Sequence, residues 1–286
     1  MGKIEKAILF GGQARVAVLD TTDIVSELIT LHDLSPLSTV CLGRAITIAA
    51  YMVGEFKHHK NCVNLIIDGG GPLGKICVSG SSNTVKGFVE NPRLESVYTN
   101  TGVLNVPYAV GSNGFLTVFK SIDDANPYTG KVPLTRGDIA FDFASYLQQS
   151  ESRDSAVVLG VNCSNSGCIA SGGVIMEPLP GASEEVLYVL EDIAYNLSNI
   201  SELLVEKTAK EILEFHFAHF ECDILTANEI SFHCSCSEKI GSIIRSIGKQ
   251  EAMKIIEDEK SHTLSIKCDY CSREYKFNQS DIGRFF

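Results

Sequence analysis

The sequence predicts an α+β protein in three parts, and three patterns along the chain lead to that prediction. Short β-rich runs separated by turn residues fill most of residues 1–180, with one long apolar helix among them. In residues 181–231 the apolar positions recur at helical spacing. Residues 232–286 contain few large apolar side chains but four closely paired cysteines. We therefore expect a sheet-rich N-terminal core domain with a buried helix, a helical linker and a small C-terminal domain.

The core domain is predicted to begin with a strand at Ala14–Asp20 and a helix capped by Thr22 or Asp23. A second helix is predicted from Leu37 to about Phe56, and its Ala and Ile residues on nearly all sides indicate a buried helix. A turn-rich connection is expected over Asp123–Pro133. A further helix is predicted at residues 139–148, and the remaining strands at residues 63–67, 75–78, 85–89, 114–119, 156–161 and 172–176.

The segment Gly69–Ile76 nearly matches a phosphate-binding loop. Such a loop needs Ser or Thr after its lysine to hold magnesium, and here Ile76 occupies that position. A helix must also follow the loop, whereas Cys77 and Val78 are typical of a strand. We therefore interpret the segment as a glycine-rich turn between strands. Since no Ser/His/Asp set or carboxylate pair stands out either, the chain is not expected to be an enzyme.

The linker is predicted to be helical from a cap at Ser183. Its apolar positions follow alternating three- and four-residue steps, at Val186, Leu190, Ile193, Leu197, Ile200 and Leu204. Apolar faces this wide must be covered in the resting protein, because monomers rarely expose such large patches. His216 and His219 have a spacing that can bind metal, but no thiol or acidic partner is patterned with them, so packing or solvation is expected.

The C-terminal domain contains the strongest functional pattern in the chain. Cys234 and Cys236 form a C-x-C pair, and Cys268 and Cys271 form a C-x-x-C pair. Two close pairs of thiols are what a closed, tetrahedral structural zinc site requires, so we expect these four residues to bind one zinc ion. His233 and His262 are the alternative ligands if one cysteine is not used.

The fold between the two pairs is predicted to be two short helices and a hairpin whose turn contains Cys268 and Cys271. Its core is too small to be stable alone, so loss of zinc should unfold it. Oxidation is a second chemical option for the same sulfurs. A disulfide across C-x-C is strained and therefore labile, and zinc keeps thiols in the thiolate form that oxidants attack. The element could thus switch from a metal site to two disulfides.

Cys163 and Cys168 flank a polar turn after the strand at residues 156–161. They could form a second thiol pair, but two reduced cysteines beside a strand is the favoured interpretation, and their role stays open.

Charge and hydropathy limit the partners. The net charge is −11 with an isoelectric point near 5.1, which argues against a nucleic-acid-binding surface. The first residues lack a signal-peptide h-region, and no uninterrupted apolar run of about 18 residues would span a membrane. We expect a soluble, cytoplasmic protein whose cysteines are reduced at rest.

Over essentially its whole length the chain resembles the redox-regulated 33-kDa chaperonin family, the bacterial heat-shock holdases. The four tail cysteines match the C-x-C and C-x-x-C switch of that family. Two departures are Ser150–Ser152, where the family commonly has Ser-Glu-Gln, and Met176, where Gln is expected. The upstream landmarks are Ser35-Pro36, Leu42–Arg44, Gly71–Gly74, Lys86–Phe88, Tyr128–Gly130, Gly172-Gly173 and Leu179–Gly181.

The resemblance implies an ATP-independent chaperone that is inactive when reduced and zinc-bound. Peroxide or hypochlorite with heat would pair Cys234 with Cys236 and Cys268 with Cys271 and release zinc. The tail and linker would then unfold and capture unfolding client proteins, and the active form would be a homodimer. The client-binding surface is not defined by the sequence. The alternative is a constitutive zinc ribbon that binds a nucleic acid or a protein partner.

Overall fold

A computed structural model describes residues 1–122, 126–164, 167–259 and 261–286 of the chain. It contains two compact units, Met1–Phe232 and His233–Phe286. The strands of the first unit are β1 Gly2–Leu9, β2 Ala14–Asp20, β3 Cys62–Asp68, β4 Ile76–Ser81, β5 Thr84–Val89, β6 Phe115–Ser121, β7 Tyr128–Pro133, β8 Ala156–Ser164, β9 Gly167–Pro178, β10 Asp223–Ile224 and β11 Asn228–Phe232. Its helices are α1 Thr22–His32, α2 Pro36–Gly54, α3 Val106–Val110, α4 Ile139–Glu151, α5 Glu184–Asn196, α6 Ile200–Glu206 and α7 Ala209–Phe217.

The strands of the first unit form one sheet in the order β7-β6-β3-β4-β5-β11-β1-β2-β9-β8, and β10 also pairs with β1. Strand β11 joins two antiparallel halves of this sheet. It pairs antiparallel with β1 on one side and parallel with β5 on the other. The α+β fold class with a large sheet is therefore confirmed, and the end of the predicted helical linker contributes the two strands β10 and β11.

Helix α2 is the buried helix that the sequence predicts. Ser35 caps it by accepting a hydrogen bond from the Ser38 amide, and Pro36 occupies its first turn. Its side chains pack in an apolar cluster with α1, α4 and strands from both halves of the sheet. Helix α2 is long and apolar enough to cross a membrane. However, 89% of its most apolar 18-residue stretch is buried inside the protein, as in a core helix.

The linker helices α5, α6 and α7 form a second apolar cluster with strands β1, β2 and β9. Successive residues of a strand point to opposite faces of a sheet. In β2, Ala17 and Leu19 accordingly belong to the α2 cluster, whereas Val16 and Val18 belong to the linker cluster. The apolar faces of the linker are therefore covered by the sheet, as the sequence analysis required.

A charged network is buried beside these clusters. Glu177, 3% exposed, accepts hydrogen bonds from Arg15, from Arg153 at 2.5 Å and from the Tyr51 hydroxyl at 2.8 Å. Arg153 also bonds Glu151, which forms an ion pair with Lys120. The network connects α2, α4 and the sheet through partners that lie far apart in sequence.

Two local expectations need correction. Residues 2–9 form strand β1, which the sequence analysis did not predict, because Lys3, Glu5 and Lys6 mask its alternation. The expected connection over Asp123–Pro133 contains strand β7, and residues 123–125 lie outside the described part of the chain. Strand β7 lies beside β6 at the edge of the sheet, and an edge strand tolerates its glycine and proline.

The glycine-rich segment before β4 connects two strands, as predicted. Gly69 and Gly71 lie so close to the backbone of Val110 and Gly111 that an added Cβ atom would come within about 2.4 Å of it. The absence of a side chain at Gly69 and Gly71 allows this close approach of two backbone segments. Ile76 begins strand β4 rather than a helix.

Replacing Glu177 with Gln should destabilise the first unit by about 1–3 kcal/mol, because Arg15 and Arg153 would each lose a buried charged hydrogen-bond partner. The loss is limited because Arg15 keeps its ion pair with Glu55 and Arg153 keeps its ion pair with Glu151. Urea denaturation at neutral pH measures this loss. The control Glu206→Gln changes an exposed carboxyl group at the end of α6 and should alter stability by less than about 0.5 kcal/mol. Equal stability of the two variants would contradict the role assigned to Glu177.

The ion pair of Glu151 should make stability depend on pH. Burial favours the neutral carboxyl group, but the Lys120 ammonium, together with the Tyr146 hydroxyl and Arg153, outweighs it, and the pKa of Glu151 is lowered. The resulting stabilisation is present above the unfolded-state pKa of about 4.3 and is lost as the pH falls through the folded-state pKa. Thermal unfolding of Glu151→Gln should therefore show a deficit against wild type at neutral pH that shrinks towards about pH 3. A deficit independent of pH would exclude this explanation.

Candidate metal centre

The second unit contains helices α8 Cys236–Ile247, α9 Lys249–Asp258 and α10 Gln279–Ile282 and strands β12 Leu264–Lys267 and β13 Glu274–Phe277. Strands β12 and β13 form an antiparallel hairpin. The turn after β12 holds Cys268 and Cys271. The Cys268 amide donates a hydrogen bond to the Arg273 carbonyl, and the Ser272 amide donates one to the Cys268 carbonyl. This turn presents both thiols on a short, hydrogen-bonded backbone loop.

The other cysteine pair lies at the start of α8. Cys234 precedes the helix, and Cys236 is its first residue. The positive end of a helix stabilises a thiolate placed there, so the position suits a metal ligand.

The four sulfur atoms converge within the second unit. All four Sγ atoms lie within 4.8 Å of one another. The sulfur contacts at 3.8 Å (Cys234 to Cys268) and 3.4 Å (Cys236 to Cys271) both join one cysteine of each pair. A tetrahedral zinc ion with zinc–sulfur bonds of about 2.3 Å would place its ligand sulfurs about 3.8 Å apart. The cluster is therefore of the size that one metal ion with four thiolate ligands requires.

Tyr275 extends the site beyond the four cysteines. Its hydroxyl group lies 3.1 Å from the Cys236 sulfur. Burial opposes ionisation of Cys236, but hydrogen bonds from Tyr275 and the other thiols outweigh it and lower the pKa of Cys236 to about 7. Burial raises the pKa of Cys271 to about 12. Before a metal binds, Cys236 is thus more readily ionised than Cys271, and it is the more nucleophilic of these two thiols at neutral pH.

The histidines considered as alternative ligands lie outside this cluster. Among the described residues, the group of close ligand atoms consists of the four cysteines, and His233 and His262 are exposed. In the first unit, His216 contacts the Phe215 ring and His219 contacts the Phe220 ring. Both contacts are consistent with packing rather than metal binding.

The apolar core that accompanies the cluster is small. Its buried members are Ile244, Ala252, Ile256, Leu264 and Ile282. Helix α10 contributes Ile282 and starts with a capping box between Asn278 and Asp281. Sequence reasoning missed this helix, although the capping-box pattern is visible in the sequence. It also missed Tyr275 as a partner of Cys236, because spacing alone gives no signal for that contact.

The chain is therefore a two-unit α+β protein. One unit has a large mixed sheet with helices on both faces, and the other has a four-cysteine cluster that could hold a metal ion. The family model described as Hsp33 protein matches residues 3–278, and the chain belongs to this family of heat-shock chaperones. The family resemblance stated from the sequence is therefore confirmed.

Curated relatives match over nearly the whole chain. The 33 kDa chaperonin of Clostridium perfringens (strain SM101) is 36% identical over 287 residues, which cover 99% of this chain and 90% of that protein. The 33 kDa chaperonin of Clostridium botulinum (strain Alaska E43) is 37% identical and covers 98% of this chain and 96% of its own length. The crystal structure of the 33 kDa chaperonin (heat shock protein 33 homolog) from Thermotoga maritima has a TM-score of 0.89 and 28% identity and covers 99% of this chain and 97% of its own.

Cys268→Ser should weaken metal binding by more than about 100-fold, because it removes a ligand rather than a supporting contact. The second unit should then lose its resistance to limited proteolysis, since its apolar core is too small to hold it. Metal content by mass spectrometry and proteolysis of the reduced protein measure both effects. The matched control is Cys222→Ser, a half-buried thiol of the first unit outside the cluster. A second unit equally protected in both variants would contradict metal-dependent folding.

Proposed function

We propose that the protein is a redox-regulated, ATP-independent holdase of the heat-shock class. In the reduced state Cys234, Cys236, Cys268 and Cys271 bind one zinc ion per chain, and the protein is inactive. In the oxidised state it binds unfolding client proteins under oxidative and heat stress. The observation that carries the proposal is the convergence of four sulfurs within 4.8 Å in a unit with a very small apolar core.

Zinc, when bound, would keep the four cysteines as thiolates and hold the second unit folded. Oxidation removes these ligands. Each disulfide forms when two thiolates pass two electrons to one molecule of hydrogen peroxide, which takes up two protons from solvent and becomes two molecules of water, so two disulfides consume two equivalents of oxidant.

The family resemblance supports pairing Cys234 with Cys236 and Cys268 with Cys271. The sulfur contacts of the reduced cluster at 3.8 and 3.4 Å instead run between the two pairs, from Cys234 to Cys268 and from Cys236 to Cys271. Pairing between the motifs would tie α8 to the hairpin turn. Pairing within each motif requires no persistent contact between α8 and the hairpin turn, and it leaves both segments free to separate after the metal is lost.

The proposed client-binding state follows from the linker. Residues 181–231 form the proposed linker between a core domain (1–180) and a zinc-binding domain (232–286). Helices α5–α7 and the face of the sheet beneath them share one apolar cluster. Release of these helices would expose apolar surface on both the helices and the sheet, which suits capture of unfolded chains. Exposed aromatic side chains already occur along the linker helices at Tyr188, Tyr195 and Phe215.

The proposal also includes a cytoplasmic location, a homodimer in the oxidised state, no enzymatic activity, and no nucleic-acid or membrane partner. The net charge of −11 supports the exclusion of nucleic acid.

Peroxide treatment at elevated temperature should release about one zinc ion per chain and convert the protein into a suppressor of aggregation of a thermally unfolding client enzyme. The reduced protein should not suppress aggregation, and ATP should change neither result. A chromogenic chelator measures the zinc release, and light scattering of the client measures the suppression of aggregation. Disulfide mapping by mass spectrometry identifies which cysteines are paired.

The control is Cys62→Ser, which removes a half-buried thiol of β3 and should respond to peroxide as wild type does. An oxidised protein that keeps its zinc and leaves client aggregation unchanged would contradict the proposed redox regulation. It would favour a constitutive zinc ribbon, which a binding assay with nucleic acid at varied salt concentration would then examine.

A further inference from the structure

The β8–β9 hairpin carries two cysteines that the zinc cluster does not use. Cys163 lies near the end of β8 and Cys168 near the start of β9, and the two residues are direct partners across the antiparallel ladder. Residues 165–166 between them lie outside the described part of the chain. The register shifts between Asn162 and Cys163, and Ile169 beside the shift is exposed. This irregularity is a β-bulge at the end of the hairpin.

Directly opposed residues of an antiparallel pair meet the distance requirement of a disulfide. Their Cα atoms lie about 4.5–5.5 Å apart and their side chains point to the same face. Disulfides join Cα atoms that are usually about 4.4–6.8 Å apart. Cys163 and Cys168 therefore need no large backbone movement to be bridged.

Both sulfurs lie on the same side of the sheet. Cys163 and Cys168 both pack against the apolar cluster around α2. The Cys163 thiol lies 3.6 Å from the Pro36 carbonyl at the start of α2. The Cys168 thiol interacts with the Ser26 side chain of α1 and with Cys163 itself. The two thiols thus share one half-buried site between the hairpin and the helices α1 and α2.

The other cysteines of the described strands lie opposite residues other than cysteine. Cys62 lies opposite Ser81 and Ser121. Cys77 lies opposite Ile66 and Phe88. The position of a second thiol directly across from the first therefore distinguishes Cys163 and Cys168 within the sheet.

We propose that Cys163 and Cys168 are a second redox site of the protein and form a cross-strand disulfide on oxidation. Two thiols lose two protons and two electrons, the S–S bond forms, and one molecule of a peroxide is reduced to water. Burial raises the pKa of both thiols, that of Cys168 to about 12, so the thiolate fraction is small at neutral pH and the reaction is slow.

The disulfide would act as a staple on the core domain. It would close the end of the β8–β9 hairpin on the face that α2 covers, while the linker helices cover the opposite face of the same strands. If the linker is released as proposed above, the staple would keep β8 and β9 joined in the oxidised protein. That role rests on the proposed function, whereas formation of the disulfide rests on the geometry of the hairpin alone.

Trypsin provides a direct test on the full-length native protein. Cleavage after Arg153 and Lys207 releases one peptide that contains Cys163 and Cys168 and no other cysteine. After peroxide treatment this peptide should be lighter by two hydrogen atoms and should resist alkylation until a reductant is added. Oxidation of Met176 in the same peptide adds an oxygen atom and is therefore distinguished by mass.

Stability gives a second readout. The oxidised protein should unfold at a temperature higher by on the order of 5 °C than oxidised Cys163→Ser, because the staple restricts the unfolded chain. In Cys163→Ser the remaining Cys168 should stay open to alkylation on unfolding, and the control Cys222→Ser should behave as wild type.

Full alkylation of both thiols after peroxide exposure prolonged well beyond complete oxidation of the tail cysteines would overturn the inference, as would a disulfide from this peptide to any other peptide. The tail peptides are scored separately in the same digest. A disulfide in the hairpin peptide with an intact, zinc-loaded tail would contradict the proposed function and leave the hairpin site standing. Oxidised tail cysteines that have released zinc, with a hairpin peptide that stays fully reduced, would contradict the hairpin site and leave the proposed function standing.

Discussion

The constraint on which the rest of the structure depends is that strands β1, β2 and β9 carry apolar side chains on both faces. Ile175 of β9 packs into the α2 cluster, while Val174 and Met176 pack into the linker cluster. A sheet that is apolar on both faces needs a cover on each. Helix α2 covers one face of these strands, and helices α5, α6 and α7 cover the other.

The second unit is stabilised in a different way. In the described part of this unit, five buried apolar residues with six half-buried ones around them supply little hydrophobic free energy, and a core of this size rarely holds a fold without a metal or a disulfide. Metal binding at a structural zinc site contributes on the order of 10–16 kcal/mol. Under the proposed function, the chemistry of the four sulfurs decides whether this unit is folded, whereas the first unit has an extensive apolar core of its own.

The two groups of paired cysteines differ in environment, and the difference gives them different chemistry. Cys236 lies at a helix N-terminus and beside the Tyr275 hydroxyl, which favours its thiolate form. Cys163 and Cys168 are held against an apolar cluster, which favours their neutral form. The first environment suits metal binding and rapid reaction with an oxidant. The second suits slow formation of a structural bond.

The sequence by itself determined the features that depend on near neighbours in the chain. The C-x-C and C-x-x-C spacings identified the four cysteines, the apolar residues on nearly all sides of the helix predicted from Leu37 to about Phe56 indicated burial, and the helical period of residues 183–204 predicted amphipathic helices. Only the tertiary structure decided the features that join distant segments. These are the insertion of β11 between β1 and β5, the two arginines on Glu177, the contact of Tyr275 with Cys236 and the opposition of Cys163 and Cys168. The physical reason is that periodicity and spacing report which face of an element is apolar, but not which distant element covers it.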